Sequence, residues 1–523
     1  MTDSRKPLPE ANHGEAAQAD AGTPRKRWYS NPFDLGDDAD GDQLNEECGV
    51  FGIFGVDDAA SYAALGLHAL QHRGQEAAGV STYDSESGRF SVIRRFGLVG
   101  DNFSKQKIVD RLPGHSALGH TRYSTSGDQE QTEARDIQPL YAELSEGGIA
   151  LAHNGNFTNA NQLRAELIRK GSIFQSSSDT ECVLQLMANS IQLGAPDRLQ
   201  DALRRVQGAF SIVAMTAEQL IGVRDVHGIR PLVLGRRGKG WILASETVAL
   251  DIVGAEFVRE IEPGEMVVID RRGVHSQFPF PKRQSRFCIF EFIYFSRPDS
   301  FIRGTSVYEA RERIGEELAK EAPVEADLVC PVPDSGTPAA IGFASASGIP
   351  FAQGIVKHQY VGRTFIEPSA EIRDMKVRLK LNVNRALVKG KRIVLVDDSV
   401  VRGTTSRAIK DMVLDAGAAE VHFRIASPPT SWPCFYGVDT PNRDKLMAAK
   451  LTEEEMREEL GVDSLRFISM DGLYRACGVP EGYSSKKPRF CDACFTGAYP
   501  VEPADPVSDG RLPPPEKRFK DCA

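Results

Sequence analysis

The chain contains no run of about 18 consecutive apolar residues, the length a helix needs to cross a bilayer, so no membrane span is expected. Its first residues also lack the apolar core of a secretory signal. Basic charge is not in excess: 63 Lys and Arg stand against 72 Asp and Glu, a net charge of −9. That balance argues against nucleic acid as a bulk partner, because binding a phosphate backbone draws on a basic face. Small anions at local basic sites are still compatible with it. A disulfide framework is missing too, since the nine cysteines are odd in number and irregularly spread over 523 residues. This usage points to a reducing cytoplasm, where cysteine serves catalysis, metal binding or core packing. The length is ample for two large domains, each with its own core.

Residues 1–47 are poor in large apolar side chains and rich in Ala, Asp and Gly, and they read as a disordered leader. The text changes abruptly at Cys48-Gly49-Val50-Phe51-Gly52-Ile53-Phe54, an apolar strand pattern that a cysteine opens. A helical pattern from about Ala59 then leads to Gln71-His72-Arg73-Gly74, where the glycine marks a turn that lets backbone approach a ligand. Three further polar segments follow apolar ones. Gly119-His120-Thr121-Arg122 ends a strand with a guanidinium able to fork onto a carboxylate. His153-Asn154-Gly155 follows Ile149-Ala150-Leu151, and Ser176 to Glu181, with Asp179, opens a helix reaching about Ser190. From Gln207 to about Asp270, strands separated by Gly and Pro turns dominate, and 276–287 reads as a linker.

Beyond the linker, strands alternate with helices, the pattern of a mostly parallel sheet. The stretch that organises this half is Arg392-Ile393-Val394-Leu395-Val396-Asp397-Asp398, followed by Gly403-Thr404-Thr405-Ser406 and a helical pattern from Arg407 to Ala416. Consecutive branched residues predict a strand buried on both faces. Ligands of open α/β sheets bind beyond the carboxyl ends of such strands. Backbone N–H groups and hydroxyls in the Gly403–Thr405 turn suit a phosphate. Asp397 and Asp398 suit the vicinal hydroxyls of a ribose, or a Mg²⁺ ion shared with a pyrophosphate. Upstream, a strand from Asp327 to Pro333 turns through Asp334-Ser335-Gly336-Thr337 into a helix, a second anion-binding turn.

Strand, Asp-Asp and Gly-Thr-Thr in this order resemble the phosphoribosyl-diphosphate (PRPP) motif of type I phosphoribosyltransferases. The Cys-Gly-Val start with the four segments after it resembles the N-terminal-nucleophile glutamine amidotransferases. The resemblance implies an α+β then α/β chain: an αββα sandwich over 48–275, then a phosphoribosyltransferase domain with a mostly parallel sheet over 288–499. Residues 500–523, rich in Pro and charge, are expected to be a disordered tail.

Carried over position by position, the resemblance makes Cys48 a nucleophile whose own freed α-amine is its base, so the leader would be a propeptide cut at Glu47-Cys48. Asn154 and Gly155 would form an oxyanion hole. Arg122 would hold the α-carboxylate of glutamine, Asp179 its α-ammonium, and Gly74 would make backbone contacts. Asp334, Gly336 and Thr337 would hold pyrophosphate, and Gly403, Thr404 and Thr405 the ribose phosphate. Ser335, Asp397 and Asp398 would lie at Mg²⁺. Lys357-His358-Gln359-Tyr360-Val361-Gly362-Arg363 resembles a closing loop, with Lys357 and Arg363 neutralising pyrophosphate and Tyr360 and Phe365 excluding water.

Cys491-Asp492-Ala493-Cys494 by itself favours zinc or redox chemistry. Together with Cys288 and Cys434 it is similar to the cluster-bearing branch of the glutamine PRPP amidotransferases, which implies a 4Fe-4S cluster on Cys288, Cys434, Cys491 and Cys494. Spacing alone leaves Cys477 open as a competing ligand. This branch implies the first step of de novo purine synthesis, inhibition by purine nucleotides, a homotetramer and a cytoplasmic location. Other amidotransferases share the first half only, and a PRPP-sensing regulator would have little need of Cys48.

Overall fold

The computed structural model describes residues 48–104, 106–123, 134–358 and 380–504. In its first half the apolar strand that follows Cys48 is buried along its whole length, and both its edges are paired. This strand, β1 (Gly49–Phe54), lies antiparallel between β4 (Ser116–Arg122) and β10 (Gly240–Ala244). β2 (Ala77–Asp84) and β3 (Arg89–Phe96) extend the sheet beyond β4, and β9 (Val233–Arg237) and β11 (Glu256–Glu260) extend it beyond β10.

A second antiparallel sheet runs in the order β13-β12-β8-β7-β6-β5. Its strands are β5 (Leu140–Leu144), β6 (Gly147–Phe157), β7 (Gly208–Met215), β8 (Leu220–Arg224), β12 (Met266–Asp270) and β13 (Gly273–Gln277). The inner faces meet through Val50, Leu118 and Leu243 of one sheet and Ala150, Val213 and Leu220 of the other. Helices Ala59–Ala69 and Val248–Ile252 cover the outside of the first sheet. Ala160–Arg169, Thr180–Ala188 and Ala195–Leu203 cover the second. Alternating side chains thus fill one shared core and two outer ones, which makes four layers.

The second half begins with β14 (Phe287–Cys288), which pairs in parallel with β23 (Phe490–Cys491) and so ties the linker to the end of the chain. A π-helical turn, Glu291–Phe295, and a small hairpin of β15 (Phe301–Ile302) and β16 (Thr305–Ser306) follow. Next come β17 (Leu328–Pro331), the paired β18 (Ile355–Lys357) and β19 (Leu381–Val383), β20 (Arg392–Asp397), β21 (Glu420–Ile425) and β22 (Ser464–Phe467).

β17, β20, β21 and β22 form one parallel sheet in that order. The unbroken apolar run of β20 has its explanation here. Val394 and Val396 pack with helices Val307–Glu321 and Thr337–Ser347, whereas Ile393 and Leu395 pack with Thr404–Asp415 and Glu453–Leu460. Among the described residues no helix is long and apolar enough to cross a membrane.

Several expected boundaries move. The helix after Gly403 starts at Thr404 rather than Arg407, and β13 reaches Gln277, inside the stretch expected to be linker. Residues 500–504, expected to open a disordered tail, are among the described ones. Past Tyr499 the chain stays hydrogen-bonded as far as Ala504, whose N–H donates to Thr158 O at 3.1 Å. The leader 1–47 and residues 505–523 lie outside the described residues, as do Tyr360, Arg363 and Phe365.

Candidate active sites

Cys48 stands at the mouth of β1. Its Sγ contacts Tyr123 O at 3.8 Å, and burial pushes its thiol up to about 11, against the pull of the nearby Arg122. Asp179 and Glu76 also lie within electrostatic reach of this sulfur. Arg122 is the last residue of β4, adjacent to β1, and its Nη1 is buried with no hydrogen-bond partner among the described residues. Gly74 lies against this strand end, where a Cβ would stand 2.7 Å from the Arg122 backbone.

Across the sandwich, β6 carries His153, Asn154 and Gly155. The Asn154 side chain is wholly buried, and neither its Nδ2 nor its Oδ1 has a partner among the described residues. An unpaired buried amide costs about 1–3 kcal/mol, a cost characteristic of a site built for a ligand. Gly155 has φ +139°, and a Cβ there would meet Ala209 O at 2.1 Å, so only glycine fits.

Asp179 precedes the helix Thr180–Ala188, but its side chain does not cap it. Instead Oδ2 accepts the Phe157 N–H at 3.0 Å and lies 3.7 Å from His153 Nδ1. Burial pushes the pKa of this carboxyl up, yet His153 and the Phe157 amide outweigh it and hold the group below its ordinary value.

Residues to which the sequence assigned no role support this arrangement. Gln138 accepts the His153 N–H at 2.7 Å and donates to Thr180 Oγ1 at 3.1 Å. His120 bonds to His153 O at 3.2 Å, and burial pushes the His120 ring down to about 3, so it is neutral. The His153 ring stacks on Phe157 at 4.4 Å.

At the other end of the chain, two turns converge on the carboxyl edge of the parallel sheet. Val332 N donates to Val396 O at 2.9 Å, which brings the Asp334–Thr337 turn beside Asp397 and Asp398. Ser335 Oγ donates to Asp398 Oδ1 at 3.2 Å, and Asp397 Oδ1 accepts the Asp398 N–H at 2.9 Å. The peptide bond between Pro333 and Asp334 is cis. Thr337 begins the helix that follows, and Gly336 packs so closely on β20 that a Cβ would meet Val396 O at 2.3 Å. Gly403, with φ +80°, is the left-handed entry to the helix that Thr404 and Thr405 open. Lys357 Nζ bonds Asp334 Oδ2 at 2.7 Å across the same edge.

Cysteines 288, 434, 491 and 494 come together at the seam between the halves. Cys288 and Cys491 are paired in register, and the Cys494 thiol is raised first by burial and then by the charges of Cys288, Cys491 and Cys434. Among the described residues, no three His, Cys, Asp or Glu side chains converge tightly enough to hold a single metal ion. A four-iron cube spreads its thiolates farther apart than one ion does, and this donor set suits iron and sulfide chemically. Cys477 has Arg313 and not one of these thiols as its charged neighbour, and Cys182 and Cys330 are buried.

A profile of the glutamine amidotransferase domain matches residues 120–251. The amidophosphoribosyltransferase of Rhizobium etli is 52% identical over 91% of this chain and 96% of its own length. The chain belongs to the amidophosphoribosyltransferase family. The Bacillus subtilis member is 46% identical over 88% of this chain and 95% of its own. Among solved structures, the glutamine PRPP amidotransferase from B. subtilis, complexed with ADP and GMP, is similar with a TM-score of 0.82. Its identity is 44%, with 89% of this chain and 99% of that one covered. The sandwich is therefore the amidotransferase domain of an amidophosphoribosyltransferase and the parallel sheet its phosphoribosyltransferase domain.

The amidophosphoribosyltransferase halves are joined by a buried ionic chain. Arg73, next to Gly74, donates to Glu246 and to Glu291, with Nη1 at 3.3 Å from Glu291 Oε1. Glu291 starts the π-helical turn and also meets Arg230 Nη1 at 3.4 Å. Arg230 Nε in turn donates to Tyr436 O at 3.1 Å, beside Cys434. The two carboxylates outweigh burial and raise the Arg73 guanidinium further above its ordinary value.

Proposed function

We propose that Cys48 hydrolyses glutamine and that the ammonia released reaches C1 of PRPP, giving 5-phosphoribosylamine, pyrophosphate and glutamate. The observation that carries this reading is the buried Asn154 amide without a partner, standing beside Gly155 in a left-handed conformation. Such an amide fits an oxyanion that exists only during reaction, and one donor of this kind is typically worth about 3 kcal/mol to the transition state.

Burial leaves the Cys48 thiol at about 11, so only about one molecule in ten thousand would carry a thiolate at neutral pH without a base. The α-amine of Cys48 itself, freed by cleavage after Glu47, supplies that base. Sulfur attacks the side-chain amide carbon, the amine passes its proton to the departing nitrogen, and ammonia leaves a glutamyl thioester for water to hydrolyse. Arg122 with its buried guanidinium, Asp179 held as a carboxylate, and Gly74 then bind the amino-acid end of the substrate.

In the second half we assign pyrophosphate to Asp334, Gly336, Thr337 and Lys357, and the ribose phosphate to Gly403, Thr404 and Thr405. Arg363 belongs to the same assignment. Ser335, Asp397 and Asp398 would hold Mg²⁺, which typically binds through one or two carboxylates together with phosphate oxygens and supplies charge neutralisation when bound. Cys288, Cys434, Cys491 and Cys494 would hold a 4Fe-4S cluster that staples the linker to the end of the chain. We place the working units at 48–275 and 288–499, in a cytoplasmic homotetramer inhibited by purine nucleotides, a regulation supported by the nucleotides in the related B. subtilis structure.

The test is a Cys48→Ala variant. Glutamine use should disappear while synthesis from ammonia and PRPP continues. Retained glutamine use would overturn the assignment.

A further inference from the structure

The loop that carries Cys434 belongs to the transferase half, yet it touches the strand that carries Asn154 and Gly155. Asn156 Nδ2 donates to Phe435 O at 3.0 Å. Gly437, with φ +110°, presses on the next residue back, and a Cβ there would lie 3.0 Å from the Gly155 carbonyl carbon and 3.1 Å from its Cα. Residues 501–504 close over the same place. Val501 and the Tyr436 hydroxyl exchange two hydrogen bonds, at 2.7 and 2.9 Å, and Ala504 N reaches Thr158 O just past the end of β6.

We infer that the Cys434–Gly437 loop positions the Asn154 and Gly155 donors, so that hydrolysis of glutamine in one half depends on how a loop of the other half is held. The inference rests on the oxyanion reading of Asn154 and Gly155 given above. Gly155 is confined between two walls, Ala209 O of its own sheet and Gly437 of the loop. A preorganised donor must be held to within about 0.5 Å, so moving one wall is enough to spoil it. The loop is held in turn by the Cys434 N–H on Thr440 Oγ1, by Arg230 on Tyr436 O, and by Val501. Gly437 and Asn156 are thus positioning residues for the amidotransferase step.

The experiment compares Gly437→Ala, Asn156→Ala and Asn154→Ala in the full-length enzyme. It measures kcat and KM for glutamine, synthesis from ammonia, and alkylation of Cys48 by iodoacetamide, a reaction with no oxyanion. Gly437→Ala should lower kcat with glutamine by about 10- to 100-fold, the scale of a misplaced catalytic group, with KM changed less than about 2-fold. Asn156→Ala should lower it about 3- to 10-fold by the same displacement. Ammonia-dependent synthesis and alkylation should stay at the parent rate.

Parent kcat in a Gly437→Ala enzyme of unchanged melting temperature would overturn the inference, as would an equal loss with ammonia. If Gly437→Ala does not fold, Asn156→Ala decides alone, and an unchanged kcat overturns it. Parent kcat in Asn154→Ala overturns the oxyanion reading itself. Loss in Asn154→Ala with parent kcat in the other two overturns only the positioning role.

Discussion

Arg73 and Glu291 form an ion pair with neither side chain exposed, across the seam between the two catalytic halves. One ends the turn before Gly74 and the other starts the π-helical turn after the linker. Removing Glu291 takes a carboxylate from both Arg73 and Arg230 in a buried site, and breaking such a pair typically costs about 3–5 kcal/mol. Glu291→Gln should lose stability on this scale in urea unfolding, whereas an exposed pair such as Arg297 with Asp299 should lose less than about 1 kcal/mol.

The pH dependence of glutamine use should report the amine and not the thiol. If thiolate had to form unaided, kcat/KM would climb with pH up to about 11, where burial places Cys48. With the α-amine as base it should rise as that amine deprotonates and level off near pH 8, the ordinary range of an α-amino group. Protein that retains the leader should be inactive with glutamine and active with ammonia. N-terminal sequencing of active enzyme should begin at Cys48.

Asp398→Asn should reduce phosphoribosylamine formation with glutamine and with ammonia alike, by about 100-fold or more, the scale of a lost electrostatic contact at a reacting phosphoribosyl group. Steady-state rates with both donors check this. A loss with glutamine alone would place Asp398 outside the transferase site.

Iron, acid-labile sulfide and zinc measured on protein purified without oxygen should give four iron and four sulfide per chain, as a 4Fe-4S centre requires. Stoichiometric zinc with no iron would remove the cluster. Cys494→Ser should lower the iron content and Cys477→Ser should not, since the charged neighbour of Cys477 is Arg313 and not one of these thiols.

Much of the fold was legible because its signals are local. Ile393 to Val396 read as a strand buried on both faces, and they are one, with alternate residues in two different cores. Cys48-Gly49-Val50 at the start of β1, Asn154-Gly155 within β6 and Asp397-Asp398 at the end of β20 each occupy a few adjacent positions. What stayed hidden depends on partners far away in the chain. Arg73 meets Glu246 and Glu291 at separations of 173 and 218 residues, and Gly155 owes its surroundings to Gly437. Asp179 sits where a cap belongs, yet its carboxylate turns to Phe157 and His153, a choice that tertiary packing makes. The tail read as disordered from its composition, but hydrogen bonds dock its first residues against Tyr436 and Thr158.

The central claim is that one chain both frees ammonia and consumes it. The direct measurement supplies glutamine labelled with ¹⁵N in the side-chain amide, together with PRPP and an excess of unlabelled ammonium, and follows the isotope into phosphoribosylamine at early times. With the ammonium kept below the concentration that supports synthesis in the Cys48→Ala enzyme, nitrogen in the product should carry the glutamine label nearly undiluted. A label diluted to the composition of the bulk ammonium pool would contradict the account.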